Sequence, residues 1–380
     1  MRRVFTSTTY LCIALGALPV GAHAQVVVRD EQREFRLEGF ANLTLGLPAG
    51  EDTVGYSGTD DLRLDGALRL FARQSFGEHS GVGARVVVQS SPEKRLGVGE
   101  ASAIVFGRWG RLEVGKRMGL PDVLAGYAPN PFTFTSADFG PASGASLDPA
   151  GNLQTLFLGR TLASQINALS PLGFTAALAD DQSAKAVFVS PKKHGLLAGL
   201  SYSANPEDAR FGNLIQAGLV REWYWSQNVL RFGGSYTSAA GQPGPQRVRA
   251  LRSINVGVSA SVNDALSLGA SVTFNGTGGL PAGITPMRPA GAVGATVSAN
   301  YNTGPWTVGA YLQRASSEGE VDVPGSDRLQ VAEVGASYRF TTHWRIYGAA
   351  YLYDFIDEGG NVSQGRFRGS VWLIGIRAQL

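Results

Sequence analysis

In the stretch Leu62-Arg63-Leu64-Asp65-Gly66-Ala67-Leu68-Arg69-Leu70-Phe71-Ala72-Arg73, apolar and charged residues alternate. Successive side chains of an extended chain leave on opposite faces, so Leu62, Leu64, Leu68 and Leu70 share one face and Arg63, Asp65, Arg69 and Arg73 the other. The same period recurs at 35–46, 81–90, 99–107, 111–118, 157–169, 173–180, 184–190, 195–204, 212–223, 228–238, 248–262, 265–275, 291–302, 305–316, 329–340, 343–354 and 366–380, making eighteen candidate strands.

Many runs are joined by two to five residues on one side, as at Asn263-Asp264, Thr303-Gly304 and Thr341-Thr342, and by longer Gly-, Pro- and charge-rich stretches on the other. A soluble sandwich alternates too, but it does not sort its connections into short and long ones. The sorting predicts an all-β fold, a transmembrane antiparallel β-barrel with short periplasmic turns, long outer loops, an apolar outside and a polar lumen. Trp109, Trp223, Trp225, Trp306 and Trp344 sit at or beside short turns, and only Trp372 lies mid-strand. Such clustering is what an interfacial aromatic girdle requires, since indole prefers the headgroup level. In the last run, Trp372, Ile374, Ile376, Ala378 and Leu380 form a lipid-facing row. That strand is expected to pair with the first, because an open edge in lipid leaves backbone groups unsatisfied at several kcal/mol each.

Composition agrees. Of 380 residues 50 are Gly, which disfavours a helical bundle, because each interior Gly costs a helix about 1 kcal/mol relative to Ala. No linker or low-complexity run divides the chain, and aromatic content is too high for disorder. At the start, Arg2 and Arg3, the apolar run Leu11–Leu18 and Ala22-His23-Ala24 make a three-part signal peptide over 1–24, with cleavage expected before Gln25. Cleavage removes Cys12, the one cysteine, and with it thiolate chemistry, disulfides and Cys-ligated zinc. It also takes two Arg and no acid, so 31 basic minus 30 acidic residues leave +1 where the full chain has +3.

The residues Leu64-Asp65-Gly66 and Ala103-Ile104-Val105-Phe106-Gly107-Arg108-Trp109-Gly110-Arg111-Leu112-Glu113-Val114-Gly115-Lys116-Arg117 resemble the strand pair that leads into the third loop of Gram-negative general diffusion porins, most closely the trimeric β-proteobacterial type. Arg160, Ser164-Gln165-Ile166-Asn167, Ser170-Pro171 and the terminal Gly375–Leu380 are weaker echoes. Family members usually end in Phe, and this chain ends in Leu380. The resemblance implies sixteen strands where the runs count eighteen, the surplus being read as one hairpin between 184 and 302. It further implies a homotrimer in outer-membrane lipid and lipopolysaccharide, passing small hydrophilic solutes and ions.

Between Met118 and Phe157 runs a stretch rich in Pro, Gly and aromatics, long enough to be functional. By resemblance it is a constriction loop over about 119–156, with acidic groups facing basic groups on the wall. The loop offers Asp122, Asp138 and Asp148; the wall offers Arg63, Arg69, Arg73, Arg85, Arg111 and Arg117. Opposite charges across a low-dielectric waist orient dipolar solutes and rank ions by charge. Six Arg against three Asp predicts a weak anion preference.

Other classes find less support. His79, His194 and His343 are the histidines left after cleavage, each beside a short turn and far apart, which offers neither a metal site nor a Ser/His pair. Gly276-Thr277-Gly278-Gly279 lacks the strand-to-helix context of a phosphate loop, and no basic run interleaved with aromatics suggests nucleic acid. No cofactor or metal is expected. Asp180-Asp181, Glu318/Glu320/Asp322 and Asp354/Asp357/Glu358 read as solvated outer-rim clusters, with weak divalent-cation or lipopolysaccharide bridging as the sharper reading. The rivals are a substrate-selective channel, an outer-membrane hydrolase and a secreted β-rich adhesin; the first would show a row of lumen aromatics, which is not evident.

Overall fold

A computed structural model describes residues 25–30, 32–50, 62–90, 97–125, 181–243, 248–263, 265–276, 292–318, 326–357 and 365–379. Seventeen strands and one short helix carry them. The short strand β1 (Gln25–Arg29) folds back on β2 (Arg33–Gly50). There follow β3 (Leu62–Ser75), β4 (Gly81–Ser90), β5 (Gly97–Gly107), β6 (Gly110–Lys116), helix α1 (Leu120–Ala125), β7 (Ala184–Val189), β8 (Leu196–Ser203), β9 (Phe211–Trp225) and β10 (Asn228–Gly241). The remainder are β11 (Leu251–Val262), β12 (Leu266–Gly276), β13 (Ala292–Thr303), β14 (Trp306–Glu318), β15 (Ser326–Arg339), β16 (Trp344–Asp357) and β17 (Gly365–Gln379).

From β2 to β17 each strand pairs antiparallel with the next, and β17 returns to β2 along Gln379↔Phe40 to Gly369↔Gly50. Sixteen strands therefore close a barrel with no free edge, which satisfies every ladder group from within, as lipid demands. The first strand extends the seam. β1 covers Glu34 to Glu38 on the β2 edge that β17 covers from Phe40 onward, so the two strands lie end to end.

The count of eighteen is corrected to sixteen. Every run between 184 and 302 is a barrel strand, so the surplus hairpin is not there. Two other runs, 157–169 and 173–180, lie outside the described residues, and β6 pairs directly with β7 through Arg111↔Val189 to Lys116↔Ala184. Alternation is local, and it cannot tell whether a run finds ladder partners on both sides.

At one end of the barrel the turns are short, at 76–80, 108–109, 190–195, 226–227, 263–265, 304–305 and 340–343. Tight hairpins need left-handed backbone, and Ser226, Asn263 and Gly304 supply it with φ of 52°, 49° and 57°. At the other end connections are longer, the extreme being 117–183. Leu43, Val105, Leu312, Ile346 and Ile374 stand exposed on the outer face, while their neighbours of opposite phase turn inward. Trp223, Trp225, Trp306 and Trp344 join this face at the short-turn end, all 44–48 % exposed. Trp109 stacks there on Phe188 with ring centroids 6.0 Å apart.

After β6 the chain turns into the barrel. Leu120, Val123 and Leu124 of α1 pack against the inward Val187, Val189, Leu197 and Val220 of β7, β8 and β9. The Leu120 amide donates to Gln216 Oε1 at 3.0 Å, fixing the start of the helix to β9.

Candidate functional site

The inner face divides into sectors of different chemistry. Strands β2 to β6 carry charge, because alternation sends Glu34, Arg36 and Glu38 of β2, Arg69 and Arg73 of β3, Arg85 of β4, Glu100 of β5 and Arg111 and Glu113 of β6 to the same side. Arg117, just past β6, adds to them. Cross-strand register then sets the pairs. Glu38 lies opposite Arg69 and accepts from its Nη1 at 3.0 Å. Arg117 donates from Nη1 to Glu100 Oε2 at 2.6 Å and from Nε to Glu113 Oε2 at 2.9 Å. Arg85 approaches the same two carboxylates, with Nη1 3.4 Å from Glu113 and 3.9 Å from Glu100. Arg111 Nε is 3.0 Å from Glu113 Oε1. Nearer the short turns, Arg36 pairs with Glu34 and Arg73 lies over the Phe106 ring, 4.2 Å from its centroid.

Burial is deepest at the centre: Arg69, Arg85, Arg117, Glu100 and Glu113 are all 0–3 % exposed. Removing such groups from water costs several kcal/mol per ion, offset only when each has a close partner. Glu113, facing three arginines, is the hub of that compensation. Among the described side chains the sector holds six guanidinium groups (Arg36, Arg69, Arg73, Arg85, Arg111, Arg117) and four carboxylates (Glu34, Glu38, Glu100, Glu113), a difference of two positive charges.

Of the wall residues expected from sequence, the structure gathers Arg69, Arg73, Arg85, Arg111 and Arg117. Arg63 occupies the β3 position opposite Thr44, and Asp122 lies in α1; Asp138 and Asp148 fall outside the described residues. The glutamates were the residues sequence reasoning missed. Their signal was present in the same alternation, since Glu34 and Glu38 share a phase with Arg36, and Glu100 shares one with Ser102 and Ile104.

Opposite this wall, β10 to β13 present neutral polar groups: Thr237, Ser253, Asn255, Ser271, Thr273 and Thr296. Asn255 pairs with Thr273, and the Ser271 and Thr296 hydroxyls meet at 2.8 Å. On β14 to β16, Tyr311, Tyr347, Tyr351 and Tyr353 gather on the inner face, with Tyr347 hydroxyl 2.5 Å from Thr44 Oγ1. These tyrosines are buried within the inner wall. His79, His194 and His343 sit in three separate short turns, and His343 Nδ1 is 3.0 Å from the Gln379 carbonyl.

Of the acidic clusters, Asp181 departs from expectation. Asp181 is buried rather than solvated: its Oδ1 accepts from Lys185 Nζ at 2.9 Å and from the Ser183 amide, and its Oδ2 from the Glu207 amide. Asp354 pairs with Arg366 and Arg368 on the outer face.

The family model that describes the Gram-negative porin matches residues 9–371. No curated protein matches the chain by sequence. Among solved structures the fold is similar to OmpF of Salmonella typhi in complex with daunomycin, with a TM-score of 0.62 at 12% identity over 93% of this chain and 100% of that one. It is also similar to OmpT, an outer membrane protein of Vibrio cholerae (TM-score 0.60, 11% identity, 93% and 99% covered), and to the anion-selective porin from Comamonas acidovorans (TM-score 0.59, 11% identity, 92% and 100% covered).

Proposed function

The chain belongs to the Gram-negative porin family, and from that premise we propose that it forms a water-filled outer-membrane channel for passive diffusion of small hydrophilic solutes and ions. The observation that carries this reading is the charged sector of β2 to β6 on the inner face of a closed sixteen-strand barrel. Fixed charges on a low-dielectric wall act on passing ions far more strongly than the same charges in bulk water. A difference of two positive charges favours anions weakly, and the preference stays small because Glu38, Glu100 and Glu113 neutralise the most buried arginines.

The segment 119–156 narrows the channel, with Asp122, Asp138 and Asp148 facing the arginines, Arg63 included. The inward packing of α1 at the start of that segment supports this assignment. The unit is a homotrimer, in keeping with the trimer form recorded for the similar Vibrio cholerae OmpT, and residues 1–24 are the export signal. Planar-bilayer recording tests the reading. Purified, folded protein is expected to give stepwise conductance and, in a salt gradient, a reversal potential displaced modestly toward the anion; absence of channels overturns the channel, and a cation-favouring potential overturns the selectivity.

A further inference from the structure

Behind the tryptophan girdle, the inner face carries a row of charge that lies apart from the wall of β2 to β6. Arg339, at the end of β15, stands opposite Arg345 of β16, and Arg345 stands opposite Arg377 of β17. All three share the inward phase of their strands, which is that of Leu329 and Ser337, of Tyr347 and Tyr351, and of Val371 and Leu373. Their outward neighbours fix the depth. Tyr338 meets Trp306 with ring centroids 4.8 Å apart, and Trp344 stands exposed one residue before Arg345. The row therefore lines the lumen at its short-turn mouth, level with one membrane interface.

Residues directly opposite in an antiparallel ladder have Cα atoms about 5 Å apart, so three guanidinium groups are rooted within about 10 Å of one another. Like charges in such register destabilise a sheet. Acids close at hand do little to offset them: Glu333, inward on β15, is about 20 Å along the strand from Arg339, and Glu38 of β2 is engaged by Arg36 and Arg69. The three arginines are held differently. Arg377 is buried in the wall with its guanidinium 4.7 Å from the Phe40 ring centroid. Arg345 is half-buried, and Arg339 is exposed and makes no ion pair among the described residues. Tyr347, in the next pair up, leans across Gly375 to place its hydroxyl on Thr44 of β2, which draws the ring away from Arg339.

Guanidinium donates its N–H groups in pairs to oxygens held on one centre, and a halide has no such oxygens. Two negative charges also answer a row of three cations better than one does. We infer that Arg339, Arg345 and Arg377 form an oxyanion site at the short-turn mouth, which takes a small, doubly charged tetrahedral anion of the sulfate or phosphate type as it passes through the channel. The site rests on the channel reading and divides the work differently from the charged wall. The wall ranks anions against cations, whereas this row ranks anions by their own charge and shape.

Planar-bilayer recording in chloride at fixed ionic strength tests this, with sulfate and singly charged methyl sulfate as probes. Sulfate added on the short-turn side is expected to reduce the current saturably. Its half-effect concentration should lie about tenfold below that of methyl sulfate, the worth of one charge-assisted hydrogen bond, and below that of sulfate added on the long-loop side. Arg339→Ala/Arg345→Ala is expected to raise the sulfate value about tenfold. A current that falls without saturating, equal potency of the two probes or of the two sides, or a conducting variant that responds like the wild type overturns the site while the channel reading stands. Thermal unfolding in detergent reads the site without conduction: millimolar sulfate is expected to raise the Tm of the wild type by more than that of the variant, and equal shifts overturn the site even where no channel forms. If the variant does not fold, the wild-type recordings decide alone.

Discussion

Gly199 of β8 and Gly218 of β9 face each other across the ladder, and both are filled from inside by α1. A Cβ at Gly199 would lie 2.5 Å from Leu120 Cδ1, and one at Gly218 would lie 2.4 Å from Leu124 Cδ1. The two glycines form a shelf on which the first turn of the long connection rests. Gly218→Val is therefore expected to push α1 off the wall at a cost of about 1–3 kcal/mol, as overpacking does, without opening the barrel. Single-channel recording should show an altered and noisier conductance; an unchanged trace from folded protein would mean that the seat of α1 has no bearing on the passage.

Glu113 holds Arg117, Arg85 and Arg111 at once. Glu113→Gln leaves these guanidinium groups short of a counter-charge in a buried place, a loss of roughly 3–5 kcal/mol for a broken buried pair. Urea unfolding from lipid vesicles measures it. Any folded variant should also shift its reversal potential further toward the anion, and Glu113→Gln/Arg85→Gln should recover part of both changes.

Outside the strands, Asp181 offers a test by acid. Burial pushes its carboxyl up, but Lys185, the Ser183 hydroxyl and the Glu207 amide together hold it below its ordinary value of 3.8. A carboxyl lowered by folding stabilises the native state above about pH 3.8, and the contribution fades as pH falls through the lower, folded value. The stability difference between wild type and Asp181→Asn should thus be largest near neutrality and shrink below pH 3.8. A difference that is constant from pH 7 to pH 2 would exclude Asp181 as its origin.

Depth on the outer face should be readable in energies. Val334 lies opposite Ala310, four residues from Trp306 and four from Arg314, at the middle of the apolar band. Val334→Lys is expected to cost about 2–4 kcal/mol, and Ser316→Lys, opposite Arg328 at the long-loop end of β14, about 0–1 kcal/mol. Equal costs by equilibrium unfolding in vesicles would place the band elsewhere.

The barrel was legible because its signal is local. Leu62 to Arg73 shows its two faces without knowledge of any partner, and the sixteen runs that became barrel strands show theirs in the same way. Trp306 and Trp344 were legible as a girdle because turns are local too. Pairing is not. That Arg111 meets Val189, leaving 157–180 no place between β6 and β7, is a property of the ladder and not of either segment. For the same reason the arginines could be read from sequence while their ties to Glu38, Glu100 and Glu113 could not. The shelf at Gly199 and Gly218 was likewise hidden, since a strand glycine looks the same whether a helix rests on it or not.

The seam between β2 and β17 joins Phe40 to Gln379 and Gly50 to Gly369, residues separated by most of the chain. Its hydrogen bonds are among the last that a growing polypeptide can make. Until they form, β2 and β17 each present a bare row of amides and carbonyls, a template for any other extended segment. Contacts of such sequence separation close slowly, because the intervening loop must surrender its entropy first. The passage from export to sealing is thus the vulnerable interval in the life of this protein, one in which protection from aggregation must come from outside the chain.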